Sequence, residues 1–397
     1  MSNIAGMPIG RTYDIVLFGA TGFTGELTAQ YIARNSPAKL RWALAGRNKA
    51  KLETVRAKLA AIDPALAEMD LLTADIGDPD SLKAVAEASR VVITTVGPYV
   101  NYGDALVAAC AEAGTDYVDL TGEPEFVDRT YLRHHARAVE TGARIVHCCG
   151  FDSIPYDLGV LFTVDQLPAG VPVTVNGYVR ASAEFSGGTF HSAITAFSRL
   201  RASAKIASER RKAEGRLKGR KVRGLTGKPH FEKDARAWVL PAPTIDPQVV
   251  LRSARALERY GPEFAYGHYI AVKKLPMAVG LVGGVVALFA LAQVPPARNW
   301  LLNRKKPGDG PTAEKRARSW FKVTFVGEGG GKRIVTEVAG GDPGYDETAK
   351  MLSESALCLA FDELPETSGQ VTTAVAMGDA LIKRLVAAGI VFSVLES

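Results

Sequence analysis

Cysteine is scarce in this sequence, and the spacing of its residues gives no sign of a bridge. The four cysteines among 397 residues are Cys110, Cys148, Cys149 and Cys358. No two form a Cys-x-x-Cys pair, and adjacent cysteines bridge each other only with strain. A disulfide scaffold is therefore excluded. No His-x-x-x-His spacing occurs among the six histidines, so no metal site is predicted. We expect a protein of the reducing cytoplasm.

Positive charge is in excess, but one segment holds all of it. The formal net charge is +6, and residues 199–236 carry 14 Lys and Arg against 4 Asp and Glu, so the rest of the chain is net negative. A nucleic-acid interface needs a basic face on the folded domain. We therefore expect no nucleic-acid partner. The basic segment has the composition of a solvated loop, and contact with lipid or with an acidic acyl carrier protein stays open.

Long uncharged runs are also rare. Only residues 275–297 extend for 23 residues without a charge, with basic residues on both sides from Lys273 to Lys306. About 20 apolar residues can span a bilayer as a helix, although Pro276, Gly280, Gly283 and Gly284 weaken a helix here. Two interpretations remain open: membrane surface contact through 273–306, peripheral at the inner face of the plasma membrane, or a buried helix at a subunit interface.

The first part of the chain alternates strand-like and helix-like patterns with short connections, which is typical of a parallel sheet covered by helices on both faces. The predicted strands are Tyr13–Gly19, Arg41–Ala45, Asp70–Ala74, Arg90–Val96, Asp116–Leu120 and Arg144–Cys148. The predicted helices are Phe23–Arg34, Lys49–Ala60, Pro79–Glu87, Tyr102–Ala113 and Glu125–Thr141. This order predicts an α/β protein with an N-terminal Rossmann domain, a doubly wound parallel sheet.

The rhythm changes after Gly150, which predicts an inserted α+β second domain. Two alternating strands around a run of three glycines predict a hairpin at 319–339, residues 216–236 are predicted as an exposed loop, and helices are predicted at 345–361 and 371–387. The predicted division is 1–152 for the dinucleotide-binding domain and 153–360 for the substrate and dimerisation domain. The remaining 361–397 form a C-terminal helix that packs back on the first domain.

The most specific motif is the run Gly19-Ala20-Thr21-Gly22-Phe23-Thr24-Gly25. It stands between an apolar strand and a helix, which is the context that a dinucleotide-binding turn requires. Glycines there let the backbone turn tightly and let a pyrophosphate approach the amides of the helix N-terminus. All seven residues are predicted cofactor contacts.

The second strand ends in Gly46-Arg47, where an NAD-binding protein would carry an acid for the ribose 2′-hydroxyl group. The acid is missing and a guanidinium group is present, so a 2′-phosphate fits better and the cofactor is predicted to be NADP(H). Asp75, after the third strand, is predicted to bond the adenine amine or to cap the next helix.

Two further loops follow strands at the same edge of the predicted sheet. The first is Gly97-Pro98-Tyr99, which we predict to lie near the nicotinamide ribose, with Tyr99 as a proton donor or as a packing residue. The second contains Asp152, which can serve the cofactor or substrate as an acid, or can cap the following helix. Tyr99 and Asp152 are the catalytic candidates.

These motifs together resemble the saccharopine dehydrogenase-like oxidoreductases and, within that group, the trans-acting enoyl reductases. The resemblance rests on the glycine run, on 44–47, on 96–99, on 149–155 and on Asp-Tyr-Val-Asp-Leu-Thr-Gly-Glu-Pro at 116–124. It implies an NADPH-dependent reductase that reduces a C=C bond of a polyketide or lipid intermediate, bound to an acyl carrier protein of a polyketide synthase. We also expect a homodimer.

Two other readings stay open. An amino-acid dehydrogenase of the saccharopine type would need arginines or lysines clustered in its cleft to hold several carboxylates. A dinucleotide-binding protein without catalytic activity, attached to a membrane, is the third. No catalytic acid is implied by the resemblance itself.

Overall fold

The computed structural model describes residues 10–182, 194, 198–233, 235–304 and 310–396. The strands are β1 (Tyr13–Phe18), β2 (Trp42–Gly46), β3 (Leu71–Thr73), β4 (Ser89–Thr94), β5 (Asp116–Asp119), β6 (Arg144–Val146), β7 (Val173–Ser182), β8 (Lys221–Gly224), β9 (His230–Glu232), β10 (Ala237–Pro241), β11 (Glu263–Val272), β12 (Trp320–Gly329), β13 (Lys332–Gly340), β14 (Gly369–Val371) and β15 (Val391–Glu396). The helices are α1 (Phe23–Asn35), α2 (Lys49–Ala60), α3 (Pro79–Ala88), α4 (Tyr99–Tyr102), α5 (Asp104–Ala113), α6 (Pro124–Thr141), α7 (Ile154–Val164), α8 (Leu200–Glu214), α9 (Asp246–Ala256), α10 (Leu275–Gln293), α11 (Pro295–Arg304), α12 (Ala313–Ala317), α13 (Asp346–Phe361), α14 (Thr373–Ala376) and α15 (Gly378–Ala387).

The first sheet is parallel throughout, with the strand order β14-β6-β5-β4-β1-β2-β3. Successive side chains of a strand point to opposite faces. Ile15 and Leu17 of β1 accordingly pack with residues of α1, α2 and α13, whereas Val16 and Phe18 pack with residues of α3, α5 and α6. Helices thus cover both faces, and the predicted α/β class with a Rossmann sheet is confirmed.

The second sheet is mixed, in the order β15-β13-β12-β7-β11-β10-β9, with β8 beside β11. Helix α7 leads into it from the first sheet and is buried along almost its whole length. Residues 216–236 contain β8 and β9, so the prediction of a loop there was wrong. Lys221 of β8 is exposed and pairs with Glu263 of β11 across the edge, which a pattern of hydrophobic alternation does not detect.

The end of the chain returns to both sheets. Helix α13 lies within the range 153–360, yet it packs across β1, β4 and β5 of the first sheet. Strand β14 extends the first sheet beside β6, and β15 pairs with β13 of the second. The helix predicted at 371–387 is interrupted at Met377 and Gly378, where Gly378 has a φ of +44°. The domain limits at 152 and 360 stay a prediction.

The uncharged run forms one long helix, α10, which turns into α11. It has 19 residues with a mean hydropathy of 2.3, and only 11% of its most apolar stretch is buried. By length and composition, α10 is the one helix of the described residues that is able to cross a membrane. The two helices are in contact, and Ala292 of α10 and Leu301 of α11 share a small buried cluster with Ile194. We call this pair the apolar hairpin.

Candidate functional site

The glycine run after β1 makes a turn that other residues would not allow. Gly19 has a φ of +98°, in the region that favours glycine. A Cβ atom on Gly25 would lie 2.2 Å from the carbonyl oxygen of Gly19 and 2.7 Å from Oγ1 of Thr95. A Cβ atom on Gly22 would meet nothing nearer than 3.6 Å. Gly19 and Gly25 therefore serve close packing, while Gly22 borders open space that a ligand can approach.

Helix α1 begins in this turn, and no side chain caps its N-terminus. The first amides of a helix lack partners within the helix and carry partial positive charge. Thr21 and Gly22 are exposed, Phe23 and Thr24 are partly exposed, and Ala20 is buried. The amides of the first turn of α1 thus lie beside exposed residues where a pyrophosphate would bind, and the residues fit a dinucleotide.

The outer side of the turn is in contact with a distant part of the chain. The ring of Phe23 packs edge-on against Tyr345, with 4.8 Å between the centroids. The guanidinium group of Arg316 lies 5.5 Å from the centre of the same ring. A Cβ atom on Gly310 would also touch Phe23. The segment that follows the apolar hairpin therefore reaches the cofactor turn.

Arg47 stands directly after β2, the neighbour of β1, and is exposed. Its position at the carboxyl edge beside the glycine turn is where an adenosine 2′-phosphate would lie. Asp75 follows β3 and accepts a hydrogen bond from the amide of Gly77 at 2.8 Å. Asp78, and not Asp75, caps α3. Of the two roles predicted for Asp75, helix capping is therefore wrong, because Asp78 caps the helix.

Tyr99 is buried, and backbone groups engage its hydroxyl group on both sides. The hydroxyl donates to the carbonyl oxygen of Thr94 at 3.1 Å and accepts from the amide of Leu120 at 3.2 Å. It thus ties the end of β4 to the end of β5. Burial raises the pKa of Tyr99 well above its usual value. The Gly97–Pro98 peptide before it is cis.

The carboxylate of Glu123 supports the same loop, and the sequence reasoning missed it. It accepts from the amide of Tyr99 at 3.1 Å and from the amide of Val100 at 2.7 Å. Glu123 is only 4% exposed. Glu123 belongs to the segment 116–124, which carries the resemblance. Its position after β5, at the carboxyl edge of the sheet, was the feature of the sequence that could have identified it as a site residue.

Asp152 lies where the chain leaves β6 for the second sheet. A Cβ atom on Gly122 would come within 3.4 Å of its carboxylate, so the loops after β5 and β6 meet here. The carboxylate accepts no hydrogen bond from the described residues, and Ser153 occupies the N-cap position of α7. The capping alternative for Asp152 is therefore wrong.

The surroundings of Asp152 favour its protonated form. Burial and the negative charges of Asp246, Asp119 and Glu123 raise its pKa to about 7. A carboxyl group that holds its proton near neutral pH can act as a general acid. The carboxyl group of Asp152 makes no hydrogen bond within the described part of the chain, whereas the proton of Tyr99 already bonds a carbonyl oxygen.

A buried carboxylate and imidazole pair lies beneath this acid. Asp119 is bonded to Nδ1 of His147 at 2.7 Å and accepts from the hydroxyl group of Tyr117 at 2.9 Å. The backbone amides of Thr121 and Cys148 also donate hydrogen bonds to the carboxylate of Asp119, at 3.0 and 3.1 Å. Asp119 is 0% exposed. The pair locks the ends of β5 and β6 together, and the sequence reasoning did not single it out.

The cysteines near this site are packing residues. Cys148 and Cys149 are both 0% exposed, and burial raises the pKa of each thiol well above its usual value. A nucleophilic cysteine requires a lowered pKa and access to solvent. Their side chains fill the junction between the sheets.

Comparison with known proteins assigns the chain. The model of the family described as saccharopine dehydrogenase NADP binding domain matches residues 15–146. A Mycobacterium tuberculosis protein classed with the trans-acting enoyl reductases is 40% identical over 410 aligned positions, which cover 96% of this chain and 97% of that protein. The trans-acting enoyl reductase of Mycobacterium bovis is 36% identical, with 97% and 98% covered.

The fold is also found in a solved structure. Saccharopine dehydrogenase (L-Glu forming) from Saccharomyces cerevisiae superposes with a TM-score of 0.55 at 12% identity, covering 96% of this chain and all of that one. At that identity the likeness concerns the fold alone. It agrees with a Rossmann domain followed by a second sheet.

The glycine turn, the arginine after β2 and the family match together give an NADP-dependent oxidoreductase. Near-complete coverage at 36–40% identity extends the match over both sheets. The chain belongs to the trans-acting enoyl reductase family of saccharopine dehydrogenase-like oxidoreductases.

Proposed function

We propose that this protein reduces the C=C bond of a 2-enoyl thioester in a polyketide or lipid intermediate, with NADPH as the reductant. The observation that carries this proposal is the position of Asp152, an acid at the carboxyl edge of a dinucleotide-binding sheet. Within the described residues its carboxyl group accepts no hydrogen bond, and its pKa is raised to about 7. The names of the full-length relatives support the same reaction.

The reaction adds one hydride to the β-carbon and one proton to the α-carbon. When bound, NADPH supplies the hydride and leaves as NADP⁺. Asp152 holds the proton for the α-carbon at its carboxyl group and regains one from solvent after each turnover. Glu123 and Tyr99 fix the neighbouring loop through hydrogen bonds to its backbone, which keeps this edge of the site in one geometry.

The other two readings are less well supported. A saccharopine-type amino-acid dehydrogenase shares the fold, but the curated relatives at 36–40% identity carry the name of enoyl reductases. A role restricted to binding would leave the raised pKa of Asp152 without a use. The proposal includes a substrate bound to an acyl carrier protein and a homodimer.

We further propose that the apolar hairpin inserts into a membrane that contains anionic lipid. Helix α10 has 19 residues with a mean hydropathy of 2.3, and basic residues precede and follow it, so it can lie in the membrane interface with its apolar side chains among the acyl chains. Exposed apolar side chains surround it. They are Leu275, Met277, Val279, Val282, Val285, Val286, Phe289 and Leu291.

Charged and aromatic residues lie at both ends of α10, as an interfacial position requires. Lys273 and Lys274 precede α10, Arg298 lies in α11, and Trp300 is 52% exposed. Lysine and arginine favour anionic headgroups, and tryptophan favours the interface. Since the chain after the hairpin reaches Phe23 beside the cofactor turn, this arrangement would bring the site close to a membrane-bound acyl chain.

The reductase proposal is tested with purified protein, NADPH and a long-chain 2-enoyl thioester. The expected result is NADPH oxidation at 340 nm with a saturated thioester as the product, detected by mass spectrometry. A matched 3-keto thioester serves as control and is expected to give no oxidation. Absence of the saturated product with both a coenzyme A thioester and a carrier-bound thioester contradicts the proposal.

Membrane insertion is tested by flotation with phosphatidylglycerol and with phosphatidylcholine vesicles. The wild type should float with the anionic vesicles, and the double variant Val282→Asp, Val286→Asp should remain in the soluble fraction. Val386→Asp, which changes an exposed valine on α15, is the matched control and should float. Equal flotation of all three proteins, or self-association of the wild type without flotation, contradicts insertion.

A further inference from the structure

A cavity of about 320 Å³ lies between the first sheet and the helices of the second domain. Its walls come from α6, α8 and α9, and from the chain at the end of β6 and β14. The lining includes Arg210, Arg252, Arg255, Tyr131 and His135. We call it the arginine cavity. β6 is separated from β1 by β4 and β5, so at about 4.8 Å per strand the cavity is distant from the glycine turn.

Two of the three arginines are neutralised by carboxylates. Arg210 contacts Asp128 at 3.1 Å and Glu214 at 2.7 Å. Arg252 contacts the same two groups, at 2.8 and 3.1 Å. Two guanidinium groups thus share two carboxylates. Arg210 is 2% exposed, so it is not a solvated part of the basic segment.

Arg255 has no such partner. Its guanidinium group donates to the carbonyl oxygen of Gly215 at 3.0 Å and forms no ion pair within the described residues. Three guanidinium groups against two carboxylates leave one positive charge in excess at the cavity. That charge sits on a planar donor group that suits the oxygens of a phosphate or carboxylate.

Three other groups of the lining carry hydrogen-bond donors. Nδ1 of His135 accepts from the amide of Gln370 at 3.0 Å, so the proton of the neutral imidazole is on Nε2. Burial and the charge of Arg210 lower the pKa of His135, which keeps it neutral at pH 7. Within the described residues, the hydroxyl group of Tyr131 makes no hydrogen bond, and Nη1 of Arg252 is buried without a partner.

Apolar side chains complete the lining. Val127, Leu217, Val249 and Val375 face the same space. A volume of about 300 Å³ or more is typical of small-molecule sites, and mixed walls suit an organic body that carries an anionic group. A bare ion would use only the donors.

We propose that the arginine cavity binds an organic phosphate, with Arg255, Tyr131 and Nε2 of His135 as donors to the phosphate oxygens. The ligand has two sources: the phosphate on the pantetheine arm of a carrier-bound substrate, which rests on the proposed function, or a soluble small phosphate. Both present the same chemistry to the donors.

The test is calorimetric titration of the full chain saturated with NADP⁺, so that the dinucleotide site is blocked. The probes are 4′-phosphopantetheine, pantetheine without phosphate, and inorganic phosphate. We expect 4′-phosphopantetheine to bind and Arg255→Gln to weaken it at least tenfold, with a smaller loss for Tyr131→Phe. Arg137→Gln, an exposed arginine of α6 paired with Glu112 and Glu140, is the matched control and should bind like the wild type.

Several outcomes separate the alternatives. Binding of 4′-phosphopantetheine but not of inorganic phosphate supports a substrate-borne phosphate, and binding of both supports recognition of the phosphate itself. Equal affinity for pantetheine, or equal affinities of Arg255→Gln and Arg137→Gln, overturns the proposal. Arg255→Lys keeps the charge without the planar fork and should show an intermediate loss, which guards against misfolding of the first variant. No enoyl substrate is present, so failure of the reductase proposal leaves this test valid.

Discussion

Arg47 should determine the preference for NADPH over NADH. The side chain is exposed at the carboxyl edge of β2, so its contact with a 2′-phosphate would be a solvated, charge-assisted hydrogen bond. Such bonds contribute about 1.5–3 kcal/mol, which corresponds to about 10- to 150-fold in affinity at 1.4 kcal/mol per tenfold change. Arg47→Gln should therefore weaken NADPH binding within this range.

Arg47→Asp should weaken NADPH binding further. A negative charge about 4 Å from the phosphate costs about 1 kcal/mol in a water-like dielectric. NADH lacks the phosphate, so both variants should bind it as the wild type does. High salt should reduce the difference between wild type and variants, because exposed charges are screened.

The assay is titration of NADPH and NADH against protein fluorescence for wild type, Arg47→Gln and Arg47→Asp. Arg34→Gln is the matched control, since it removes an exposed arginine from the opposite end of α1. Equal losses for both nucleotides, or a loss for Arg34→Gln as large as that for Arg47→Gln, would refute the assignment of the 2′-phosphate to Arg47.

Three further predictions follow from the site. Gly22→Ala should leave the melting temperature unchanged and weaken NADPH binding more than tenfold, since a Cβ there meets no protein atom within 3.4 Å but occupies the approach of the pyrophosphate. Gly25→Ala should instead lower the melting temperature, since its Cβ would lie 2.2 Å from the Gly19 carbonyl oxygen; equal melting temperatures for the two variants contradict this. The pKa of Asp152 is raised to about 7, so kcat should fall as pH rises through 7, and Asp152→Asn should have a lower kcat without that limb. The free energy of unfolding should fall between about pH 4 and 7, because over this range the folded carboxyl group keeps a proton that the unfolded one loses; Asp152→Asn should be more stabilising at pH 8 than at pH 5 in urea titrations. Tyr99→Phe leaves the buried amide of Leu120 without its acceptor, which costs about 1–3 kcal/mol, and the pH profile should keep the shape of the wild type; a lost alkaline limb would make Tyr99 the acid.

The parts of the fold that depend on local sequence were predictable. The glycine run and the alternation of strands and helices specify the first sheet, because turn geometry and periodic burial act over a few residues. The glycines that end α5 and α6 are an example: Gly114 and Gly142 both have a positive φ.

The polar groups of the site depend on contacts between distant residues and were only partly predictable. Asp119 and His147 are 28 residues apart and meet because β5 and β6 are neighbours. The role of Glu123 becomes clear only from the folded structure, in which its carboxylate accepts hydrogen bonds from the amides of Tyr99 and Val100. Position after a strand at the carboxyl edge was the one available signal.

The basic segment 199–236 is the clearest case in which amino-acid composition gives a wrong prediction of structure. Arg199 pairs with Glu125, and Arg210 with Asp128, in each case more than 70 residues away along the chain. The high density of basic residues predicts a solvated loop. In the folded chain, these residues instead form ion pairs that attach α8 to α6. Edge strands such as β8 and β15 were missed for a related reason, since they are defined by the strand beside them.

The central claim is hydride transfer to the β-carbon of a 2-enoyl thioester. The most direct measurement uses NADPH deuterated at C4 of the nicotinamide ring, with one or the other face labelled, and locates the label in the product by mass spectrometry and NMR. We expect a saturated thioester with one deuterium at the β-carbon from one of the two labelled forms. A deuterium at the thioester carbonyl carbon, or an unchanged enoyl thioester with either form, would contradict it.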